Sequence, residues 1–207
     1  LFLDEIAEFE RHTLDALRQP LEDRYINISR ANFSVKFPCN FVLVGSMNPC
    51  PCGYKQDKKI SCVCTDQQIK NYQKKISGPL LDRFDIFLEV EKAPIEQVLH
   101  ARDISKEELL HTAFKSIKNA QFMQRERFKN HQSIRKNSDM DIDEIRKYCT
   151  PDNEGQLLMK QAIDNLNLSN RGYLRTLKIA RTIADMEKSE QVKMEHVAEA
   201  IQYRKRL

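Results

Sequence analysis

The spacing of apolar residues changes character at Pro94, and that change limits the fold more than any other feature of the chain. Before it, short apolar runs alternate with helical stretches, the pattern of an α/β sheet. After it, every apolar stripe has helical spacing, the pattern of a small bundle. Leu1-Phe2-Leu3 reads as a short strand with Asp4-Glu5 at its carboxyl end. Residues 8–19 read as a helix with Phe9, Leu14 and Leu17 on one face, ended or kinked by Pro20. Tyr25 to Ile28 and Phe33 to Phe37 alternate as a hairpin with a polar turn from Ser29 to Asn32. Phe41-Val42-Leu43-Val44 is a second buried-strand candidate, running into Gly45-Ser46-Met47-Asn48. A loop with four cysteines follows, then a helix over 66–75 with Thr65 as N-cap and Gln68 as its capping-box partner. Ile86 to Val90 reads as a third strand.

Beyond Pro94, Ser105 reads as the cap of a helix whose buried face carries Leu110, Phe114 and Ile117. Residues 115–136 hold seven Lys or Arg against one Glu and read as a solvated basic connector. Asp141 starts a short helix, and Thr150-Pro151 another with Pro in first place. Ser169 caps a third, and a fourth runs over 193–206 with Met194, Val197, Ala198 and Ile201 on one stripe. The expected organisation is therefore residues 1–92 as an α/β half-core, 93–140 as a helical basic connector, and 141–207 as a helical lid.

Composition removes several classes of function. The 207 residues are 41% hydrophobic and 31% charged, so the chain is globular rather than disordered. No apolar run approaches the ~20 residues of a membrane span. No secretory signal precedes Asp4-Glu5, so a cytoplasmic, reducing setting with free thiols is expected. The net charge of +4 is too small to establish nucleic-acid binding. There are five glycines and the first is Gly45, so no phosphate loop of the form G-x-x-x-x-G-K-[ST] is present. The chain begins without Met inside an apolar run, as a piece of a longer protein would.

Four groups of residues carry possible chemistry. Asp4 and Glu5 close a strand where ligands bind in open α/β sheets, and could hold Mg²⁺ and orient a water; two solvated acids are the plainer alternative. Asn48 could hold the same water or a phosphate oxygen, or simply open the turn before Pro49. Arg83, in Gly78-Pro79-Leu80-Leu81-Asp82-Arg83-Phe84-Asp85, could stabilise a transferring phosphate on a neighbouring subunit, or pair with Asp82 or Asp85. Arg171 and Arg175 lie one turn apart near a helix start, where one could reach a nucleotide or both form a surface pair.

Cys50-Pro51-Cys52 and Cys62-Val63-Cys64, nine residues apart, could close a tetrahedral shell around Zn²⁺. Reduced free thiols, a disulfide or an iron–sulfur cluster are the alternatives. The C-x-C spacing is tighter than the usual C-x-x-C knuckle, in which backbone amides reach the sulfurs. Cys39 and Cys149 read as small apolar residues.

In this order, Leu-Phe-Leu-Asp-Glu, Met-Asn-Pro, Gly-Pro-Leu-Leu-Asp-Arg-Phe-Asp and Ser-x-Arg-Gly-x-x-Arg-x-Leu-x-x-Ala-Arg resemble the AAA+ ATPases of the magnesium-chelatase class. Within it the chain resembles the ComM/YifB-like competence protein family, with Asn48-Pro49-Cys50-Pro51-Cys52-Gly53-Tyr54 the most specific stretch. The resemblance implies a partial P-loop NTPase sheet followed by a C-terminal α-helical lid bundle. It implies Asp4 as the Mg²⁺ partner on a Walker B strand, Glu5 as the residue activating water, Asn48 as sensor 1 and Arg83 as an arginine finger in trans. It implies Arg171 as sensor 2, with Arg175 as second choice, and a pore-facing hairpin over about 24–37. On that hairpin Arg24, Arg30 and Lys36 could meet DNA phosphates, or be solvent-facing charges.

The implied whole is a cytoplasmic ring, a hexamer, that uses ATP and Mg²⁺ to drive branch migration of branched or single-stranded DNA in uptake or recombination. Without a Walker A loop the chain alone is expected to bind no nucleotide usefully and turn none over. A sheet without its central strand is expected to associate or swap, and the helical lid to fold more readily alone. Two other readings stay open: an ATPase subunit of the chelatase type acting on a porphyrin-linked partner, and a zinc-stabilised DNA-binding module without catalysis.

Overall fold

The computed structural model describes residues 1–30, 33–57, 59–91 and 105–204. It divides into two compact units, Leu1–Phe84 and Asp85–Arg206.

In the first unit, strand β1 (Phe2–Leu3) lies parallel to β4 (Val44–Gly45), with Phe2 opposite Val44 and Leu3 opposite Gly45. Parallel neighbours need a crossover, and everything from residue 6 to 43 supplies it. It contains a 3₁₀ turn (Ile6–Glu8), α1 (Arg11–Ala16), α2 (Arg18–Asp23) and the hairpin β2 (Tyr25–Arg30) and β3 (Phe33–Pro38). Gly45 allows the close approach of the crossover: a Cβ there would meet Ile6 Cδ1 at 3.1 Å. The ladder continues past the strands, with the Ile6 N–H donating to the Ser46 carbonyl at 2.8 Å.

The expected helix over 8–19 is two helices joined at Leu17. Pro20 does not end it but kinks it as expected: with no N–H to give the Ala16 carbonyl, it leaves the break at Leu17. Pro20 is the third residue of α2, within the first turn, where a backbone N–H has no intrahelical partner to lose. Leu14 is buried as expected, with Ile6, Ile76 and Leu80, while Phe9 lies outside the helix and is exposed. The hairpin pairs Tyr25 with Pro38 through Arg30 with Phe33, so its strands extend beyond the expected turn to leave only residues 31–32, which lie outside the described residues. Ile26, Ile28, Phe33, Val35 and Phe37 share one of its faces and all are exposed.

Helix α3 (Asp66–Gln73) starts on the expected capping box: Thr65 Oγ1 accepts from the Gln68 N–H and Gln68 Oε1 from the Thr65 N–H. The four-residue α4 (Gly78–Leu81) follows, and buried Ser77 before it donates to Asp15 Oδ1 at 2.6 Å, tying α4 to α1. Of the two further strands expected, 41–44 contributes only Val44, in β4, and 86–90 contributes none. Val42 and Val44 are exposed. Residues 86–90 form no strand, and the Phe87 N–H donates instead to the Tyr203 carbonyl at 2.9 Å. A parallel strand is buried by layers packed on the faces of its sheet, and among the described residues β4 belongs to a sheet of two short strands.

The second unit is helical: α5 (Ser105–Phe128), a 3₁₀ turn (Asn137–Asp139), α6 (Ile142–Tyr148), α7 (Asn153–Leu166), α8 (Asn170–Met186) and α9 (Met194–Gln202). Helix α8 is central and packs against α5, α6 and α9. Asp141 caps α6 with Glu144 in a capping box, and Ser169 Oγ accepts from the Gly172 N–H at 3.0 Å to cap α8. Helix α7 starts later than expected. Asp152 is its cap and Pro151 stands before it, bridged to Val192.

The basic stretch is largely helical and packed along one side rather than solvated all round. Residues 115–128 belong to α5, and its packed side is Ser116, Asn119, Ala120, Met123, Arg127 and Phe128 rather than Leu110, Phe114 and Ile117, which are exposed. A mixed stripe wins because Arg127 has a buried partner. Asp185, fully buried, accepts from Arg127 Nη1 at 2.8 Å, Asn137 Nδ2 at 2.8 Å and Arg181 Nε at 3.1 Å. Burial pulls the Arg181 pKa down, opposed chiefly by Asp185. The expected Ser105 cap and the Lys205-Arg206 tail lie outside the described side chains.

Candidate functional site

Because β1 and β4 run in the same direction and stop side by side, their carboxyl ends place Asp4-Glu5 next to Ser46-Met47-Asn48. Ser46 Oγ donates to Asp4 Oδ1. The Glu5 N–H sits between them, 3.2 Å from Asp4 Oδ1 and 3.2 Å from Ser46 Oγ. Glu5 is held at φ 49°, ψ 48°, the left-handed region that costs a non-glycine residue about 1–3 kcal/mol. A strained carboxylate at a strand end, beside a second carboxylate fixed by a hydroxyl, has the form of a functional site. Ser46 was not singled out by the sequence; its position directly after the glycine closing β4 is the signal that points to it.

The donor set at this strand end is hard oxygen: the Asp4 and Glu5 carboxylates and the Ser46 hydroxyl. That chemistry suits Mg²⁺, which takes one or two carboxylates and fills its remaining positions with water or phosphate oxygen. Asn48 is exposed at the same end. Tyr72 of α3 is buried. Burial, then the charge of Glu8, raise the Tyr72 pKa above its ordinary value, so the phenol stays protonated.

Arg83 belongs to the same unit but is folded inward. Its Nε donates to the Arg18 carbonyl at 2.9 Å and its Nη1 to the Pro79 carbonyl at 2.6 Å, and Glu22 lies 3.4 Å from Nε. Only 10% of the side chain is exposed. Arg171 and Arg175 stand in the first two turns of α8, both partly exposed, and Arg175 Nη1 pairs with Asp85 within the helical unit. On the hairpin, Arg24 closes α2 at φ 58°, Arg30 is exposed, and Lys36 Nζ stands 3.5 Å over the Tyr25 ring. The register puts Arg30 on the face of Ile26 and Ile28, and Lys36 on the opposite face with Asn27. The hairpin thus does not gather its cations into one patch.

The four loop cysteines come together. Cys50 Sγ is 3.4 Å from Cys52 Sγ and 3.6 Å from Cys62 Sγ, and Cys52 is 3.5 Å from Cys62. All four sulfurs, Cys64 included, lie within 4.8 Å of one another. The Tyr54 and Val63 amides hold the Cys52 thiol down to about 6. The Cys64 amide favours the Cys62 thiolate, but burial and the neighbouring thiols outweigh it and push that group up to about 12. Burial likewise raises Cys64. Four sulfurs this close form a ligand set that can exchange its protons for a cation.

A carboxylate pair closes one parallel strand and a hydroxyl and an amide close the next, at the end of the sheet where open α/β folds bind ligands. Residues 1–98 match the family described as magnesium chelatase, subunit ChlI, and residues 91–204 match magnesium chelatase, subunit ChlI C-terminal. The chain belongs to this AAA+-related magnesium-chelatase family. It is 38% identical over 205 residues to the uncharacterised protein YifB of Escherichia coli, and 39% identical over 204 residues to the competence protein ComM of Haemophilus influenzae. An uncharacterised protein of Mycobacterium bovis is 31% identical over 204 residues. These alignments cover 99% of the chain but only 38% to 39% of each relative. No helix among the described residues is long and apolar enough to cross a membrane.

Proposed function

We propose that this chain is the Walker B-to-lid part of an ATP-driven motor that remodels DNA, of the branch-migration or helicase type. The observation that carries the reading is the Asp4–Glu5–Ser46 cluster at the shared end of β1 and β4. When bound, Mg²⁺ supplies charge neutralisation for the triphosphate. Asp4 holds the metal side, with its Oδ1 fixed by Ser46 Oγ and the Glu5 N–H. Glu5, turned out of regular strand geometry, orients and deprotonates the attacking water. Asn48 positions that water or a phosphate oxygen. Arg171, with Arg175 as second choice, senses the nucleotide from the helical unit.

Arg83 acts in trans in a ring, a hexamer, and to do so its guanidinium must exchange Glu22 and two carbonyls for phosphate. The hairpin with Arg24, Arg30 and Lys36 faces DNA. Such contacts are sequence-independent and weaken with salt. The name of the ComM relative favours DNA uptake or recombination as the setting, in the cytoplasm. Cys50, Cys52, Cys62 and Cys64 take a structural Zn²⁺. The domain division follows: an α/β half-core to residue 92, a helical connector, and a lid from 141. Lacking a Walker A loop, residues 1–207 alone turn over no ATP.

The test is steady-state ATP hydrolysis by the full-length gene product with and without branched DNA. Stimulation by DNA that is lost on Arg83→Ala supports the motor. Glu5→Gln is expected to keep ATP binding and abolish hydrolysis, and unchanged turnover removes Glu5 from the mechanism. Hydrolysis indifferent to every DNA tested moves the reading to the second one. That reading is an ATPase acting on a partner in metal insertion, favoured by the family description itself.

A further inference from the structure

Two clusters among the described residues have the composition of a cation site. The Glu187–Glu195–His196 cluster does not have the chemistry. The Lys193 N–H donates to His196 Nδ1 at 2.9 Å, so the proton sits on Nε2, which faces Glu187 at 3.1 Å. Both ring nitrogens are in use.

The cysteine cluster differs. A tetrahedral Zn²⁺ with Zn–S bonds of about 2.3 Å sets its sulfurs roughly 3.8 Å apart. A disulfide would bring two of them to about 2 Å. An iron–sulfur cluster distributes its thiolates over several irons and spreads them wider. The separations of 3.4, 3.5 and 3.6 Å, with none beyond 4.8 Å, fit a single ion.

The cluster's place in the chain gives it a second consequence. Cys50 stands two residues after Asn48, and Cys64 stands immediately before Thr65, the cap of α3. Nothing regular intervenes between them: the described part of residues 50–64 contains only turns and extended backbone. The loop therefore joins Asn48 to the start of α3 through the four sulfurs.

We propose that Zn²⁺ on Cys50, Cys52, Cys62 and Cys64 positions Asn48 at the nucleotide site by anchoring Cys50, two residues beyond it, to Cys64 at the start of α3. This rests on the zinc reading above and adds the coupling. The four cysteines are positioning residues; they touch no nucleotide. The ion sets where Asn48 stands, so its loss acts on the chemical step more than on binding.

The experiment uses the full-length gene product, with zinc counted by elemental analysis and then stripped by a chelator. One zinc per chain is expected. Stripping is expected to raise hydrogen exchange in residues 43–49 and 65–75, and to leave 141–204 unchanged as an internal control. ATP turnover is expected to fall about tenfold or more while KM for ATP stays within about twofold. Cys64→His, which keeps four ligands, should hold zinc and restore both readouts, whereas Cys64→Ser should not. A protein that binds no zinc overturns the zinc reading itself. Stoichiometric zinc whose removal loosens only 50–64, with exchange at 43–49 and kcat unaltered, leaves the zinc reading standing and overturns the coupling.

Discussion

Asp185 shows how one buried carboxylate can decide the packing of a helix. It accepts from two arginines and an asparagine in the core of the helical unit, with no exposed surface of its own. Removing it takes the carboxylate partner from Arg127 and from the buried Arg181, and breaking a buried pair in this way costs about 3–5 kcal/mol. Asp185→Ala is therefore expected to lower the denaturant midpoint of the helical unit sharply, whereas Ile142→Ala, at an exposed site, should leave it almost unmoved. Equal losses in the two variants would show that the ionic cluster adds nothing. The sequence identified Arg127 only as one of a run of positive charges. Its partner lies 58 residues away, and no local pattern connects them.

Among the elements, helix starts were the most legible part of the sequence. Thr65, Asp141 and Ser169 each cap the helix they were expected to cap, because a cap is a contact between residues two or three apart. Ser169→Ala is expected to destabilise α8 by about 1 kcal/mol in equilibrium unfolding. Asp141 adds a pH dependence. Its pKa is lowered below the ordinary 3.8, first by the Glu144 side chain and then by the Glu144 and Asp143 amides. A depressed carboxylate contributes stability that is full above its unfolded pKa and lost as pH falls through the folded one. Acid titration by circular dichroism should therefore show α6 weakening only below pH 3.8, and Asp141→Asn should remove that step. Strands were less legible than caps. Val42, Val44 and Ile86 to Val90 have apolar strand composition, yet they lie exposed or unpaired in this fold. A strand is defined by its neighbours, and those lie far away in sequence.

At the scale of the whole molecule, the two units differ in how they are held together. The helical unit has thirteen residues in its described buried apolar cluster, against four in the first unit: Ile6, Leu14, Ile76 and Leu80. The first unit therefore depends more on local ties such as the Ser77–Asp15 bond and the cysteine cluster. Residues 85–204 expressed alone are expected to unfold cooperatively with full helical content, unaffected by chelator. Residues 1–84 are expected to lose structure when metal is withdrawn. A helical unit that is molten alone would contradict this.

The sequence by itself determined the family, the order of the motifs, the helix caps and the clustering of chemistry at strand ends. Each of these is written in residues that are neighbours along the chain or in a fixed spacing. The tertiary structure alone decided which face of α5 is buried, that Ser46 joins Asp4 and Glu5, that Arg83 is folded against Arg18 and Glu22, and that four sulfurs meet within 4.8 Å. Periodicity reveals that a surface is apolar but not what covers it, and composition reveals a charge but not its partner. Those depend on contacts between distant segments, which exist only once the chain has closed on itself.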